Sequence, residues 1–331
     1  MPKMQSLHSK KYLLNLDWRY RCSLVFLLAL SLTACGHKRD VYLFTSFHEP
    51  ATAGLRMLYS YNGYDWHDLD TVLLKPAVGT QRVMRDPSLV QGKDGTFHLV
   101  WTSSWKEDYG FGYASSTDLV HWSPQKHIVV MAHEPSTVNV WAPELYYDKD
   151  EDRFIIVWAS TVPYRFEKGM EEEGNNHRLY YVTTKDFNTF TPTALFYDPG
   201  YSVIDATIVR RGPQDYVLVF KDNTRPVRAL KVAFGNSPLG PWTNDSKPFT
   251  GFLTEGPTVV KLGAKWHIFY DDYQNHSYDG VNTLDFESFE SLTDDIRFPA
   301  GHKHGTVLTV NRKTFKKLMR TLAIKPVKEP R

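Results

Sequence analysis

Three acidic residues, Asp86, Asp205 and Glu255, each stand at the opening of an apolar, strand-like run: Asp86-Pro-Ser-Leu-Val, Asp205-Ala-Thr-Ile-Val and Glu255-Gly-Pro-Thr-Val-Val. Two more runs have the same form. One is Trp141-Ala-Pro-Glu-Leu-Tyr, which carries Glu144, and the other is Gly305-Thr-Val-Leu-Thr, preceded by His304. Carboxylates brought close together repel, which raises the pKa of at least one and makes an acid and a base out of identical groups. Singly, each has a plainer reading: Asp86 before a proline caps a turn, Asp205 forms an Asx turn, and Glu255 lies in a surface loop. Recurrence of the position is what points to chemistry, so the elements carrying these runs decide the matter.

Those elements repeat. Ala114-Ser-Ser-Thr-Asp-Leu-Val-His-Trp, Val182-Thr-Thr-Lys-Asp-Phe-Asn-Thr-Phe, Phe234-Gly-Asn-Ser-Pro-Leu-Gly-Pro-Trp and Val281-Asn-Thr-Leu-Asp-Phe-Glu-Ser-Phe share a strand end, a polar turn and a closing aromatic; Leu58 to Trp66 is a weaker copy. Four of the apolar runs are followed by a tight turn and an aromatic-rich second strand, as in Thr96-Phe-His-Leu-Val-Trp and Lys265-Trp-His-Ile-Phe-Tyr. Antiparallel units recurring about every 50 residues are the signature of propeller blades. The sequence therefore predicts an all-β, five-bladed β-propeller. Its last blade is split: an inner strand from Gly305 to Val310 is completed by N-terminal strands around Val41 and Leu55, which closes the ring and buries an edge. On this reading Asp86, Asp205, Glu255 and His304 all face one end of the central channel.

Composition agrees with a globular body. The chain has 331 residues, 42% of them hydrophobic and 14% aromatic, which excludes disorder and leaves no apolar run as long as the roughly 18 residues of a spanning helix. Net positive charge is confined to the ends, carried by Lys3, Lys10, Lys11, Arg19 and Arg21, and by eight Lys and Arg from Arg312 onward. The body between them is acidic, so no nucleic acid partner is expected. The basic end, residues 312–331, is expected to be a solvated amphipathic tail around Phe315, Leu318 and Leu322. Ser23 to Leu32 has the length of a signal-peptide apolar region. It ends in Leu32-Thr-Ala-Cys35, which resembles the bacterial lipobox. Residues 1–34 are thus read as a leader, Cys35 as the lipidated mature N-terminus, and the protein as exported and anchored in a bacterial envelope membrane. Cys22 falls in the leader, so residues 35–311 form the propeller without a disulfide or a cysteine zinc site.

The ordered series Arg85-Asp86-Pro87, Trp141-Ala142-Pro143-Glu144, Val203-Ile204-Asp205-Ala206-Thr207, Glu255-Gly256-Pro257-Thr258 and Gly301-His302-Lys303-His304-Gly305-Thr306 resembles glycoside hydrolase family 43, over nearly all of residues 41–310. The likeness is greatest to arabinosidase- and xylosidase-like bacterial members. It implies an inverting glycosidase with Asp86 as general base, Glu255 as general acid and Asp205 as the residue that tunes and holds the acid. Glu255 is then expected to stay protonated near neutral pH while Asp86 is ionised. Trp141 and Trp105 are expected as platforms for sugar rings, with Glu144, Lys221 and His304 as further substrate-binding groups. In relatives a histidine like His304 lies near a calcium ion, but calcium prefers oxygen ligands and no Asp-rich loop is present. No metal or cofactor is therefore expected, the charged stretch from Pro163 to His177 reads as a solvated loop, and a monomer acting on a carbohydrate is anticipated. Two rival readings are a retaining fructan-type glycosidase and a non-catalytic glycan-binding lipoprotein. The first lacks its N-D-P-N-G element, since residues 41–60 offer only His48-Glu49-Pro50. The second has no use for three carboxylates.

If Cys35 carries the anchor, Cys35→Ser releases the protein from the membrane fraction with activity unchanged. Fractionation of cells expressing the two forms checks this; membrane association that survives the substitution would shift the anchor to the basic end.

Overall fold

The computed structural model describes residues 40–171 and 174–329. The expected export signal and Cys35 lie outside them. Strands β1 (Val41–Ser46), β2 (Arg56–Ser60) and β3 (His67–Asp68) belong to one antiparallel sheet. The next blades are β4 (Arg85–Gln91), β5 (Phe97–Thr102), β6 (Gly110–Ser116) and β7 (Lys126–Val129), then β8 (Trp141–Asp148), β9 (Arg153–Ser160), β10 (Arg178–Thr184) and β11 (Ala194–Tyr197). A three-stranded blade follows, β12 (Val203–Gly212), β13 (Asp215–Asp222) and β14 (Ala229–Gly235), and then β15 (Thr254–Leu262), β16 (Lys265–Asp272), β17 (Ser277–Thr283) and β18 (Glu290–Ser291). The last strand, β19 (Val307–Val310), returns to pair with β1 and so becomes the inner strand of the first sheet. The inner strands touch in the cycle β4, β8, β12, β15, β19 and back to β4. This is the five-bladed propeller with the split blade that the repeat predicts.

Alternating apolar residues on both faces of each sheet account for the ring. Five buried clusters fill the five junctions between neighbouring blades, for example Phe111 and Ile128 against Ile156 and Trp158, or Phe44 and Leu58 against Phe269. The recurring polar turn has a simple cause. The hydroxyls of Ser60, Ser116, Thr184 and Thr283 each accept the backbone N–H three residues on, at 2.8–2.9 Å, which locks the turn after the third strand.

The inner strands share one irregularity. Each of four breaks register with its neighbour, between Arg85 and Ser88, Trp141 and Glu144, Ile204 and Thr207, and Glu255 and Thr258. Within each break one residue takes the left-handed backbone region: Asp86 (φ 50°), Ala142 (φ 44°), Asp205 (φ 54°) and Gly256 (φ 60°). Asp tolerates that region better than most residues, and glycine adopts it freely. Asp86 and Asp205 are therefore true equivalents, but Glu255 is not their third: it precedes the left-handed residue and corresponds to Arg85, Trp141 and Ile204. Periodicity alone could not separate the two positions, because the bulge shifts the pairing by a residue.

The basic end differs from expectation. Helix α1 (Arg312–Thr321) starts at Asn311, whose side chain accepts the Thr314 N–H at 2.9 Å. It buries Phe315, Leu318 and Met319 in the junction between the split blade and the β4–β7 blade, with the Phe315 ring 5.1 Å from that of Tyr59. Lys316, Lys317 and Arg320 face outward. The apolar stripe thus has a partner in the propeller itself, and only the cationic face is solvated. Removing it should show in stability. Leu318→Ala is expected to cost about 2–5 kcal/mol in urea unfolding, and Lys316→Ala less than about 0.5 kcal/mol; equal small effects would mean that the helix contributes nothing to the core.

Candidate active site

The bulges turn side chains of several blades into one pocket. Its wall includes Arg85, Asp86, Trp105, Trp141, Asp205, Lys221, Glu255 and His304. The three carboxylates of the sequence reading therefore do share a cavity. Asp86 accepts a hydrogen bond from Thr102 Oγ1 at 2.8 Å, and His304 Nδ1 lies 3.3 Å from its other oxygen. Burial pushes the Asp86 carboxyl upward, but His304, Arg85 and Thr102 outweigh it and hold the group below the usual carboxylate range. In return His304, despite burial, is pushed up to about 9 by Asp86, Asp205 and Glu144. At neutral pH this is an imidazolium beside an ionised aspartate.

Asp205 and Glu255 are treated differently. Burial pushes Asp205 up to about 6, with Glu255 and Asp86 adding to it against His304 and Lys221. Its Oδ2 accepts the Gly256 N–H at 3.1 Å. Glu255 is also raised by burial, yet Lys221 Nζ donates to its Oε2 at 2.8 Å, and this charge, helped by His304, brings it below its ordinary value. The expectation that Glu255 holds a proton near neutral pH is therefore not met with Lys221 in place; of the pair, Asp205 is the better proton holder. Lys221, fully buried, also donates to Tyr273 Oη at 3.3 Å. Its first partner is thus the acidic residue rather than a bound hydroxyl group.

At the pocket mouth the Trp105 and Trp141 rings lie 4.6 Å apart. Trp141 Nε1 donates to the Trp105 carbonyl at 2.7 Å, and the Arg85 guanidinium lies 4.8 Å over the Trp105 ring. Trp105 is 44% exposed, so an apolar face remains open to a ligand. Both tryptophans stand where the sequence reading put them, as does His304.

Glu144 does not. It lies below the pocket, in a second cavity of the channel with Thr207, Thr258 and Thr306. In that tier of the inner strands the other blades supply hydroxyls: Ser88 accepts the Leu145 N–H at 3.0 Å, Thr258 accepts the Val307 N–H at 2.8 Å and Thr207 donates to the Pro257 carbonyl at 2.6 Å. Glu144 replaces such a hydroxyl. Burial, only partly offset by Ser88, His304 and Thr306, pushes it up to about 7.

The structure adds residues that the sequence did not signal. Glu171 and Asn175, from the stretch read as a solvated loop, line the pocket with Asn223, Arg225 and Arg228. Glu171 is only 5% exposed and is held by His177 Nδ1 at 2.9 Å, Asn223 Nδ2 at 2.6 Å and the Ser202 hydroxyl. Charge without periodicity reads as solvent-facing, and nothing in the local pattern reveals that the loop folds inward. Trp101, Phe220 and Tyr270 are blade core, and Asp271 is committed to Lys303 at 3.2 Å.

The model of a "Probable glycosyl hydrolase domain" related to family 43 matches residues 38–316. An α-L-arabinofuranosidase of Bifidobacterium longum subsp. longum is 24% identical over 227 residues, which is 59% of this chain and 20% of that protein. The chain thus spans about a fifth of the length of that relative. Among solved structures, an endo-arabinase from Bacteroides thetaiotaomicron superposes with a TM-score of 0.56 at 15% identity, covering 75% of this chain and 90% of the other. A thermostable family-43 glycoside hydrolase gives 0.52 at 15% identity, covering 67% and 78%. At these identities the structures support the fold alone, while the family match spans most of the chain. The chain therefore belongs to the family that this model describes, the probable glycosyl hydrolase domains related to family 43.

Proposed function

We propose that this protein is a glycosidase, an inverting enzyme that removes arabinofuranosyl or xylosyl residues from plant-type polysaccharide or oligosaccharide side chains, working outside the cytosol on an anchor at Cys35. The observation that carries the reading is the unequal treatment of the carboxylates in one pocket: Asp86 is tied to two cationic neighbours, His304 and Arg85, whereas Glu255 is paired with Lys221 and burial raises Asp205. In this scheme Asp86 takes a proton from a water molecule as the water oxygen bonds to the anomeric carbon. The bond to the leaving oxygen breaks on the opposite face, and that oxygen receives a proton from Glu255. Trp105 and Trp141 offer apolar surface to a sugar face. Because Lys221 favours the carboxylate form of Glu255, delivery of the proton requires that this ion pair loosen as the leaving oxygen arrives, so that burial then favours the protonated form of Glu255. The arabinofuranosidase relative supports the choice of sugar.

Hydrolysis of nitrophenyl α-L-arabinofuranoside and β-D-xyloside, followed by NMR of the first-formed anomer, tests the reading. Inverted product is expected; retained configuration would overturn the mechanism, and inertness toward both glycosides the choice of sugar. Glu255→Gln should slow substrates with poor leaving groups by about 10²–10⁴ and leave nitrophenyl glycosides far less affected, whereas Asp86→Asn should slow both classes alike.

The pH profile distinguishes the supporting groups. Lys221→Met removes a positive charge from the Asp205–Glu255 pair, so its carboxyl keeps a proton to higher pH and the basic limb of kcat/KM moves up. Asp205→Asn removes a negative charge, so the same limb moves down. His304→Asn withdraws the cation that keeps Asp86 ionised, so the acidic limb moves up. A shift of about one pH unit, corresponding to about 1.4 kcal/mol, is the scale expected. Limbs that stay in place in all three variants would assign the titrations to other groups.

A further inference from the structure

A second cluster lies away from the sugar pocket, where the two ends of the propeller chain meet. His48 follows β1, Asp68 ends β3, and His302 lies in the segment leading to β19. One ligand-type atom from each falls within 4.8 Å of the others. His302 Nε2 is 3.1 Å from Asp68 Oδ2, and the His48 and His302 rings meet edge to face at 4.5 Å. Two ring nitrogens, His48 Nε2 and His302 Nδ1, are buried and have no hydrogen-bond partner, and the His302 side chain is 1% exposed. Buried polar nitrogens without a partner are uncommon, so two in one cluster call for an explanation.

We propose that His48, Asp68 and His302 form a binding site for one divalent transition-metal ion of the zinc class, which staples the N-terminal strands of the split blade to the segment that carries His304. Two imidazoles and one carboxylate make the donor set of a zinc-type site with one position left for water, and they are a poor set for calcium or magnesium, which want oxygens. Tetrahedral coordination at 2.0–2.2 Å places ligand atoms roughly 3.3 Å apart, against 3.1 Å between His302 Nε2 and Asp68 Oδ2 and no more than 4.8 Å across the cluster. A basic side chain also stands beside the cluster. Arg56 Nη1 is 3.8 Å from Asp68 Oδ2, and a cation there competes with the metal.

The consequence is mechanical. His302 is followed by Lys303, whose N–H is held by Phe47 O at 3.1 Å and Ser46 Oγ at 3.0 Å, and then by His304 in the pocket wall. An ion bound here adds a cross-link to a closure that has no disulfide, whichever sugar the pocket takes.

The test uses the full chain stripped with a chelator. Zn²⁺ is expected to bind at one ion per chain and to raise Tm by roughly 4 °C at about a hundredfold excess over Kd, with no such rise from Mg²⁺ or Ca²⁺. Co²⁺ should give the intense visible absorption of a four-coordinate centre. His48→Ala, at a half-buried loop position, should weaken Zn²⁺ binding by more than about a hundredfold, beyond what loss of a second-shell partner costs. His302→Ala should do the same, and Arg56→Gln should tighten binding. No Zn²⁺ uptake by the wild type, or uptake undiminished in His48→Ala, would overturn the proposal; Zn²⁺ affinity unchanged in Arg56→Gln would overturn the placement of the ion beside Asp68.

Discussion

Pairing of the first described strand with the last is the constraint on which the rest depends. β1 and β19 meet in register from Val41 opposite Val310 to Phe44 opposite Val307. Beyond the ladder Thr45 Oγ1 accepts the Thr306 N–H at 2.8 Å and donates to the Pro87 carbonyl of the neighbouring inner strand at 2.5 Å. If this seam opened, β19 and β1 would expose their edges, and the clusters on either side of the split blade would lose a wall. Distance between Asp86 and Glu255 is set through the same seam, because His304, which touches Asp86 and packs on Gly256, arrives on the segment that the seam pins down. A Cβ at residue 256 would lie 2.4 Å from the His304 ring. Glycine there serves closure and catalytic geometry together.

Convergent carboxylates are tolerated because each meets a different neighbour. His304 answers Asp86, Lys221 answers Glu255, and Asp205 has a backbone N–H and, among the described residues, no cation within hydrogen-bond distance. A symmetric arrangement, with one cation for every acid, would ionise all three and leave nothing to donate. The asymmetry holds Asp86 and Glu255 below their ordinary range while Asp205 is raised, and it arises from blade-specific side chains on one repeated backbone.

Much of this could be read in the sequence, because a propeller writes the same physical requirements several times. The hydroxyl-and-Asp turns at Ser116 and Asp118, Thr184 and Asp186, and Thr283 and Asp285 recur because the same N–H groups need partners in each blade. Asp86 and Asp205 stand out for a similar reason, as each occupies a left-handed bulge. What could not be read are the unrepeated contributions. Lys221 follows Phe220 on a second strand and carries no mark that its amine meets Glu255 from another blade. Glu144 shares its spacing with pocket residues but sits a tier below them. Glu171 comes from a charged loop whose inward fold depends on His177, Ser202 and Asn223, brought together only by the ring. The amphipathic end showed its stripe but not its partner, since Tyr59 and Val310 lie in different parts of the chain.

The left-handed residue of the second bulge, Ala142, has no side chain with which to do chemistry, and its backbone conformation is unfavourable by roughly 1–2 kcal/mol for a residue with a Cβ. Such strain persists only where the surroundings enforce it. What the bulge achieves is to present the Ala142 N–H to Thr102 Oγ1 at 2.8 Å. That bond occupies a lone pair of the hydroxyl, whose single proton is then directed to Asp86 Oδ2, also at 2.8 Å. A donated proton suits a carboxylate and not a carboxylic acid, so the strain in one blade helps to keep Asp86 of the neighbouring blade ionised and aimed. Equivalent bulges thus divide the work: two display acids, one admits a histidine beside a glycine, and one orients the hydroxyl that holds Asp86 in its working state.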